Sequence, residues 1–298
     1  MSLNSSLKNL QLNSCGSTDV DKLLQENQEL KRQISGNACQ IPYEELDIQD
    51  KIGGGGFSIV YRGFWRGTPV AIKKWFDPSM SDELMQEFRE EVMTLQSLRH
   101  PNVLQFLGVC MKPPNLCMVT EHMPFNLHSV LYTSKTQLDK PKIIEMAKDI
   151  ARALSYLHSR KPAVVHRDIK PANFLVDRAF KVKLCDMGLA SNSKSQVGAG
   201  TPQYMAPELL ENKPYNEKVD IYAFGVVLNE LVSRMQPWGF MTPAEIKSNV
   251  LAGGRPELPL SCPRNIQEVI TKCWHQDPAQ RPSCDTLLDM LSKVAKQL

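Results

Sequence analysis

The feature that most constrains this chain is the motif HRDIKPAN at residues 166–173, with a DMG tripeptide that begins thirteen residues after the asparagine. These motifs place a carboxylate (Asp168), an amine (Lys170), a carboxamide (Asn173) and a second carboxylate (Asp186) on two neighbouring loops. Phosphoryl transfer from a metal-bound nucleotide requires a group that orients a hydroxyl, a cation near the phosphates and oxygen ligands for Mg²⁺. The combined spacing therefore indicates this chemistry, whereas an HRD tripeptide alone would be weak evidence.

A glycine-rich turn lies upstream. Residues 52–60 (IGGGGFSIV) predict a strand, a turn and a returning strand, and glycines let the backbone approach phosphate oxygens. Residues 70–73 (VAIK) predict a short strand that delivers the amine of Lys73 to a pocket. An amphipathic helix of about residues 82–98 follows, with Glu91 beside its apolar face.

Together these motifs resemble the protein-kinase signature set, over about residues 46–295. The resemblance implies an α+β, bilobal protein-kinase fold, with a small β-rich N-lobe that holds one helix and a larger, mainly helical C-lobe. On this basis residues 1–42 form an N-terminal extension, residues 43–123 the N-lobe and residues 124–298 the C-lobe.

The resemblance also implies roles for the charged residues of the motifs. Lys73 is expected to pair with Glu91 and to hold the α- and β-phosphates of ATP. Asp168 is expected to orient the substrate hydroxyl, and Lys170 to stabilise the transferred phosphoryl group.

Further residues are expected to bind metal or to support the site. Asn173 and Asp186 are the expected Mg²⁺ ligands. Glu208, in an Ala-Pro-Glu tripeptide, is expected to pair with Arg281, and Asp220 to anchor the catalytic loop from a buried helix.

The implied nucleotide site combines the glycine-rich turn, two strands and the hinge between the lobes. Thr120 occupies the gatekeeper position, and Val60, Ala71 and Leu175 are expected to sandwich the purine. The full predicted set is Ile52, Gly53, Gly54, Gly55, Gly56, Val60, Ala71, Lys73, Thr120, Glu121, Met123 and Leu175.

Two positions depart from the family pattern. Ser58 stands where the third loop glycine is usual, and Met187 replaces the usual Phe of Asp-Phe-Gly. Serine is small, and methionine is an unbranched apolar gap-filler. Neither change removes a charge or a metal ligand, so they bear on rate and loop conformation and leave the chemistry in place.

Two sets of sequence features bear on which hydroxyl is phosphorylated, and they point to different classes of kinase. Lys170 and residues 200–208 (GTPQYMAPE) are similar to serine/threonine kinases, whereas residues 102–108 and 273–283 resemble tyrosine kinases. That mixture is typical of the tyrosine-kinase-like group, which includes Raf and mixed-lineage kinases. A protein serine/threonine kinase is therefore expected.

The activation segment offers four hydroxyls: Ser191, Ser193, Ser195 and Thr201. Arg167 is a cation that a phosphate on this segment could neutralise, ordering the segment. Because Thr201 is expected to help shape the site, one of the three serines is predicted to be the switch. The phosphate would come from an upstream kinase or from the chain itself.

Composition excludes several classes of protein. The net charge is only +3, and no Lys/Arg block suggests a nucleic-acid partner. No apolar run approaches the length of a membrane span. Because the first thirty residues lack a signal-type apolar segment and residue 2 is Ser, neither a secretory signal nor myristoylation is expected. The eight cysteines lack zinc spacing, which favours reduced thiols. A cytoplasmic protein is expected, with protein substrates.

Residues 20–34 predict a short helix whose apolar positions fit two heptads, with Asn27 at an a position. A single Asn at a favours a parallel dimer, but two heptads are marginal alone. The alternative is a helix that packs on the kinase domain or frays.

A second open alternative concerns function: a pseudokinase or scaffold that binds nucleotide or partners without useful turnover.

Overall fold

A computed structural model describes residues 39–54, 58–75, 82–111, 115–134, 136–188 and 200–298 of the chain. None of the helices in these ranges combines the length and the apolar character that crossing a membrane requires. The described residues form a small sheet-containing lobe followed by a larger helical lobe, so the predicted α+β bilobal kinase fold is confirmed.

The small lobe is built on a five-stranded antiparallel sheet. Its strands are β1 (Leu46–Gly54), β2 (Ser58–Trp65), β3 (Thr68–Trp75), β4 (Phe106–Cys110) and β5 (Cys117–Glu121), in the order β1-β2-β3-β5-β4. Alternation along β3 buries Val70 and Ile72 on one face and leaves Ala71 and Lys73 half-buried on the other. This alternation assigns the second face of the sheet to the cleft.

Helix α1 (Asp82–Ser97) belongs to the small lobe and lies between β3 and β4 in the chain. Phe88, Val92 and Leu95 recur on one side of the helix and are buried, as the predicted amphipathic pattern requires. Phe88 packs edge-on against Trp75 of β3, with ring centroids 4.8 Å apart. This packing therefore fixes the position of Glu91, which the same helix carries, relative to the sheet.

The large lobe is mainly helical, with one small sheet. Its helices are α2 (Leu127–Tyr132), α3 (Lys140–His158), α4 (Pro207–Leu210), α5 (Lys218–Ser233), α6 (Pro243–Leu251), α7 (Arg264–Cys273) and α8 (Cys284–Ala295). Its sheet joins β6 (Phe125–Asn126), β7 (Phe174–Val176) and β8 (Val182–Leu184) in that order. Strands β7 and β8 frame the segment between the two sequence motifs.

Helix α5 is the buried centre of the large lobe. Its residues from Val219 to Leu231 are buried on every side, which is typical of a helix inside a large core. The helix ends where Arg234 adopts a left-handed conformation (φ 55°), and the Arg234 N–H donates to the Glu230 carbonyl. This burial gives the polar side chains of α5 a rigid position beneath the cleft.

Candidate active site

The amine of Lys73 and the carboxylate of Glu91 form a bidentate ion pair at the edge of the cleft. Lys73 Nζ lies 2.6 Å from Glu91 Oε1 and 2.8 Å from Oε2. The lysine amine also lies over the ring of Trp75, 4.8 Å from its centroid. Strand β3 supplies the amine and helix α1 the carboxylate, so the pair depends on how these two elements pack.

The carboxylate of Asp168 lies at the centre of a compact polar cluster. Its Oδ2 is 2.6 Å from Lys170 Nζ and accepts from Asn173 Nδ2 at 3.0 Å. Its Oδ1 accepts from the Thr201 hydroxyl at 2.7 Å and from the Thr201 N–H at 3.1 Å. The Thr201 hydroxyl in turn accepts from Lys170 Nζ at 2.8 Å. The structure therefore brings all four side chains together.

The local backbone explains how this cluster forms. Lys170 precedes Pro171 and is extended, as a residue before proline prefers, and residues Pro171–Asn173 form a 3₁₀ turn. The Asn173 N–H donates to the Lys170 carbonyl at 3.0 Å, and this bond turns the Asn173 side chain back toward Asp168. On the other side, Gly200 has φ +134°, and a Cβ there would lie 3.1 Å from the Arg167 carbonyl oxygen. Glycine thus allows the segment before Thr201 to approach the loop.

The electrostatics of the cluster keep Asp168 ionised. Burial acts to raise the pKa of Asp168, but hydrogen bonds from Lys170, Thr201 and Asn173 hold it below its usual range. An ionised carboxylate accepts hydrogen bonds and cannot donate one. Asp168 is therefore suited to accept a bond from a substrate hydroxyl at neutral pH.

Asp220, on α5, holds the loop from below. Its Oδ1 accepts from the Arg167 N–H at 2.8 Å, and its Oδ2 accepts from the His166 N–H at 2.9 Å. His158 Nε2 lies 2.9 Å from the same Oδ2. Arg167 has φ 68°, a conformation that costs free energy for a non-glycine residue. The buried carboxylate compensates that cost by binding two consecutive N–H groups.

Asn173 and Asp186 lie at neighbouring positions. The Cys185 N–H donates to the Asn173 carbonyl at 2.9 Å, which brings the residue after Cys185 next to Asn173. Asp186 is exposed, has φ 59°, and accepts weakly from the Gly188 N–H at 3.4 Å. Met187 is 1% exposed and belongs to the same core cluster as Leu95, against which the partly buried Phe106 packs. The methionine therefore packs inward while the carboxylate faces out.

The predicted nucleotide residues of the small lobe share one face of the sheet. Gly53 pairs with Val60 and Val60 with Lys73, so these three residues form one row across β1, β2 and β3. Ala71 pairs with Thr120 in the adjacent row, and Thr120 is 5% exposed at the end of β5. The register therefore places the gatekeeper Thr120 beside Ala71, one of the residues expected to contact the purine.

The remaining predicted nucleotide residues lie on β1, between the lobes and on the large lobe. Ile52 is 48% exposed on β1, where Gly54 also lies, and Met123 is 9% exposed between the lobes. Leu175 is half-buried on β7 of the large lobe. Both oxygens of the Glu121 side chain contact Lys183 Nζ, at 2.6 and 2.8 Å, and the Glu121 N–H donates to the Gln105 carbonyl at 3.0 Å.

Glu208 and Arg281 form a second bidentate pair, as the family resemblance implies. Arg281 Nη1 lies 2.6 Å from Glu208 Oε1, and Nη2 lies 2.9 Å from Oε2. The arginine side chain is 0% exposed and also donates to the carbonyls of Lys218 and His275. This pair ties the end of the activation segment to the base of the large lobe.

Some predictions fall outside the part of the chain that the structure describes. These are the glycine-turn residues Gly55 and Gly56, the three serines Ser191, Ser193 and Ser195, and the predicted helix of residues 20–34. They stay predictions.

The sequence reasoning missed His158, which completes the support of the catalytic loop. His158 stands at the end of α3 and binds Asp220 from a position eight residues before the HRD motif. It also missed that Glu121 pairs with Lys183. No distinctive local motif marks either His158 or the pair of Glu121 and Lys183. These contacts join segments that are distant in the sequence, so they become visible only in the folded chain.

The match to a family model decides the identity of the fold. Residues 46–291 match the family described as "Protein tyrosine and serine/threonine kinase". The chain belongs to the protein-kinase family. Within this family it falls in the tyrosine-kinase-like group, as the mixture of motifs predicts. The described part of this kinase contains no cluster of three His, Cys, Asp or Glu side chains placed to hold a metal ion.

Curated relatives of this kinase are named as serine/threonine kinases. The chain is 41% identical over 265 residues to the probable serine/threonine-protein kinase SIS8 of Arabidopsis thaliana, covering 87% of this chain and 26% of the relative. It is 40% identical over 272 residues to the serine/threonine-protein kinase CTR1 of Arabidopsis thaliana, covering 88% and 33%. It is 36% identical over 262 residues to the probable serine/threonine-protein kinase drkD of Dictyostelium discoideum, covering 87% and 20%. The chain thus spans a third or less of the length of these relatives.

Proposed function

We propose that this chain transfers the γ-phosphoryl group of ATP to serine or threonine hydroxyls of protein substrates. The observation that carries the proposal is the position of Asp168, ionised and surrounded by Lys170, Asn173 and Thr201 within hydrogen-bond distance. Asp168 orients the substrate hydroxyl for attack, and Lys170 stabilises charge on the transferred group. Lys73, held by Glu91, positions the phosphates.

Mg²⁺ fits the residues at this site. Magnesium is usually bound by one or two carboxylate or carbonyl oxygens together with substrate phosphates and water. Asp186 offers an exposed carboxylate, and Asn173 offers its carboxamide oxygen while its nitrogen donates to Asp168. A metal ion held there would neutralise charge on the phosphates. The chain's own contribution is to hold Asn173 and Asp186 close together, through the backbone hydrogen bond from the Cys185 N–H to the Asn173 carbonyl.

Selectivity for short alcohols is proposed to depend on Thr201. Its hydroxyl bridges Asp168 and Lys170, so it closes one side of the space in which a nucleophile approaches Asp168. The same two bonds argue against Thr201 as a regulatory phosphosite, because a phosphate there would break both. One of Ser191, Ser193 and Ser195 remains the proposed switch, phosphorylated by an upstream kinase or by this chain.

Two further points are part of the proposal. The cysteines of the described ranges are all free, which fits a cytoplasmic location. Self-association through residues 20–34 is the proposed role of the extension, and a size-exclusion comparison with a chain starting at residue 39 tests it. A dimer that persists without the extension would contradict this role.

The test of the proposed activity is phosphoryl transfer from radiolabelled ATP with Mg²⁺ to a generic protein substrate. Wild type is expected to label Ser and Thr. Asp168→Asn, which keeps the size of the side chain and removes its charge, is expected to lose activity by about 10³-fold. Phosphoamino-acid analysis identifies the acceptor. Nucleotide binding without transfer, in a chain whose activation segment is already phosphorylated, would instead indicate a pseudokinase or scaffold.

A further inference from the structure

A cysteine, a histidine and an aspartate form a hydrogen-bonded series in the large lobe. Cys284 begins helix α8, and its Sγ lies 3.3 Å from His158 Nδ1. His158 Nε2 lies 2.9 Å from Asp220 Oδ2. The proposed phosphoryl transfer uses neither Cys284 nor His158 directly, so this cluster has no assigned chemistry.

The cluster opens into a cavity of about 250 Å³. Its walls include His158 and Cys284, with Ser155, Glu217, Lys218 and Asp285 around them. Cys284 is 8% exposed and lines this cavity, which therefore offers a route to its sulfur. The volume admits a small reagent such as a peroxide and excludes a folded partner.

The histidine of the series carries a positive charge at neutral pH. Burial acts to lower the pKa of His158, but its hydrogen bonds with Asp220 and Cys284 raise it to about 10. In the charged ring both nitrogens are donors, so Nε2–H binds the Asp220 carboxylate and Nδ1–H faces the sulfur. Reactive cysteines are found beside cationic groups, and the Nδ1–H of His158 lies 3.3 Å from the sulfur of Cys284.

We propose that Cys284 is a site of oxidation by hydrogen peroxide, activated by His158 and Asp220. The sulfur attacks one peroxide oxygen, so an S–O bond forms as the O–O bond breaks. The leaving hydroxide takes up a proton and departs as water. Sulfur is oxidised by two electrons to sulfenic acid and the peroxide is reduced, so one thiol and one peroxide give one sulfenic acid and one water.

Oxidation here is expected to reach the catalytic loop, and this part of the inference rests on the proposed kinase function. Sulfur and Nδ1 are already in contact at 3.3 Å, so an added oxygen forces the ring of His158 to move. That ring binds the same Asp220 oxygen that holds the His166 N–H. A displaced ring therefore disturbs the carboxylate that fixes the loop carrying Asp168.

The test exposes the full chain to hydrogen peroxide, traps sulfenic acid with dimedone and maps the label by mass spectrometry. Cys262 is the matched control, since it is 4% exposed in the same lobe and its thiol contacts no histidine. Burial raises the pKa of Cys262, as expected for an inert buried thiol. We expect Cys284 to be labelled about tenfold faster than Cys262 or more. Equal labelling of the two cysteines overturns the site.

Kinase activity after the same treatment tests the coupling. Wild type is expected to lose activity about tenfold or more, because small displacements of catalytic groups have large effects on rate, and to recover with dithiothreitol. Cys284→Ser keeps a hydrogen-bonding group without the oxidisable sulfur, so it is expected to retain basal activity and resist peroxide. Labelled Cys284 with unchanged activity overturns the coupling.

A variant of His158 separates activation from simple access. His158→Gln is expected to slow labelling of Cys284 to the rate of Cys262; an unchanged rate contradicts activation by the histidine. If this variant does not fold, the comparison of Cys284 with Cys262 in wild type still decides the site. If untreated wild type transfers no phosphate, the proposed function fails while the labelling result stands independently.

Discussion

Two bidentate ion pairs in this kinase have nearly the same geometry and opposite settings. Lys73 and Glu91 meet at 2.6 and 2.8 Å, and Arg281 and Glu208 meet at 2.6 and 2.9 Å. Lys73 is 22% exposed on the cleft, whereas the Arg281 side chain is 0% exposed. Distance alone therefore does not distinguish a pair that serves chemistry from one that holds a fold.

The difference lies in what surrounds each cation. Arg281 also donates to the carbonyls of Lys218, His275 and Gln276, so the polar groups of its guanidinium are satisfied inside the protein. Lys73 Nζ faces an aromatic ring on one side and the open cleft on another, where a phosphate can approach it. Removing a partner from a fully buried pair leaves an uncompensated charge. In the cleft pair water reaches the lysine, which is 22% exposed, whereas Glu91 is buried.

The strongest test of this comparison is Arg281→Met. This change leaves Glu208 buried without its partner, and it is expected to lower the free energy of unfolding by about 3–5 kcal/mol. Chemical denaturation measures the effect. Arg281→Lys keeps the charge and loses the bidentate fork, so it is expected to fall between wild type and Arg281→Met. A melting temperature within a few degrees of wild type for Arg281→Met would break the comparison.

The same substitution at the other pair, Lys73→Met, is expected to separate activity from stability. The loss of the cation near the phosphates is expected to lower kcat/KM about 10²-fold, since preorganised charge contributes a few kcal/mol to such steps. The free energy of unfolding is expected to fall by less than in Arg281→Met, because Lys73 is 22% exposed, although Glu91 is as buried as Glu208. Lys148→Met is the matched control, because Lys148 is a 16% exposed lysine in a 2.7 Å ion pair with Glu145, far from the site. Equal activity losses in both variants would contradict the assignment.

Measuring the free energy of unfolding as a function of pH extends the comparison to a third buried pair, His158 and Asp220. The pKa of His158 is raised from 6.5 to about 10, so its stabilising effect is complete below pH 6.5 and is lost as pH rises toward 10. The pKa of Asp220 is lowered, despite burial that acts to raise it, by the hydrogen bond with His158. We expect stability to fall by up to roughly 3 kcal/mol between pH 6.5 and pH 9.

His158→Gln is the control for this titration, because Lys, Tyr and Cys groups also titrate in the same range. Cys284 and Asp220 contact the ring directly, and Glu217, Lys218 and Asp285 line the cavity beside it. The variant is expected to show a shallower decrease with pH than wild type. Identical slopes would assign the effect to other groups.

The smallest expected effect concerns Ser191, Ser193 and Ser195. Replacing all three with Ala is expected to lower activity by about three- to tenfold, if a phosphate on this segment binds Arg167 and orders it. Kinetics of phosphatase-treated wild type should match the triple variant, and mass spectrometry should locate the phosphate in residues 191–195. Undiminished activity of the triple variant would remove the switch and leave the cleft pair as the main determinant.

The sequence predicted most of the local elements because their signals lie within a few residues of one another. The helix expected at about residues 82–98 is found at Asp82–Ser97, and the strand expected at residues 70–73 lies within Thr68–Trp75. Periodicity of 3.6 or 2 residues fixes which side chains share a face. The short-range motif of residues 166–173 likewise places Lys170 and Asn173 near Asp168 through one proline-initiated turn.

The family resemblance, by contrast, was needed for every pair that joins distant segments. Glu208 lies 73 residues from Arg281, and Lys73 lies 18 residues from Glu91. Spacing of this size carries no geometric information by itself, because the intervening chain can fold back in many ways. His158 and Cys284 are 126 residues apart, no motif connects them, and the sequence reasoning did not connect them either.

The sequence by itself determined that this chain carries the groups for phosphoryl transfer and that helices and strands present them at particular positions. Tertiary structure alone decided which charges are buried. Arg281 follows the polar Gln280 and Lys73 follows the apolar Ile72 in the sequence, yet Arg281 is buried in the large lobe and Lys73 faces the cleft. The physical reason is that solvent access depends on packing between elements, and the strength of a charge interaction depends on that access.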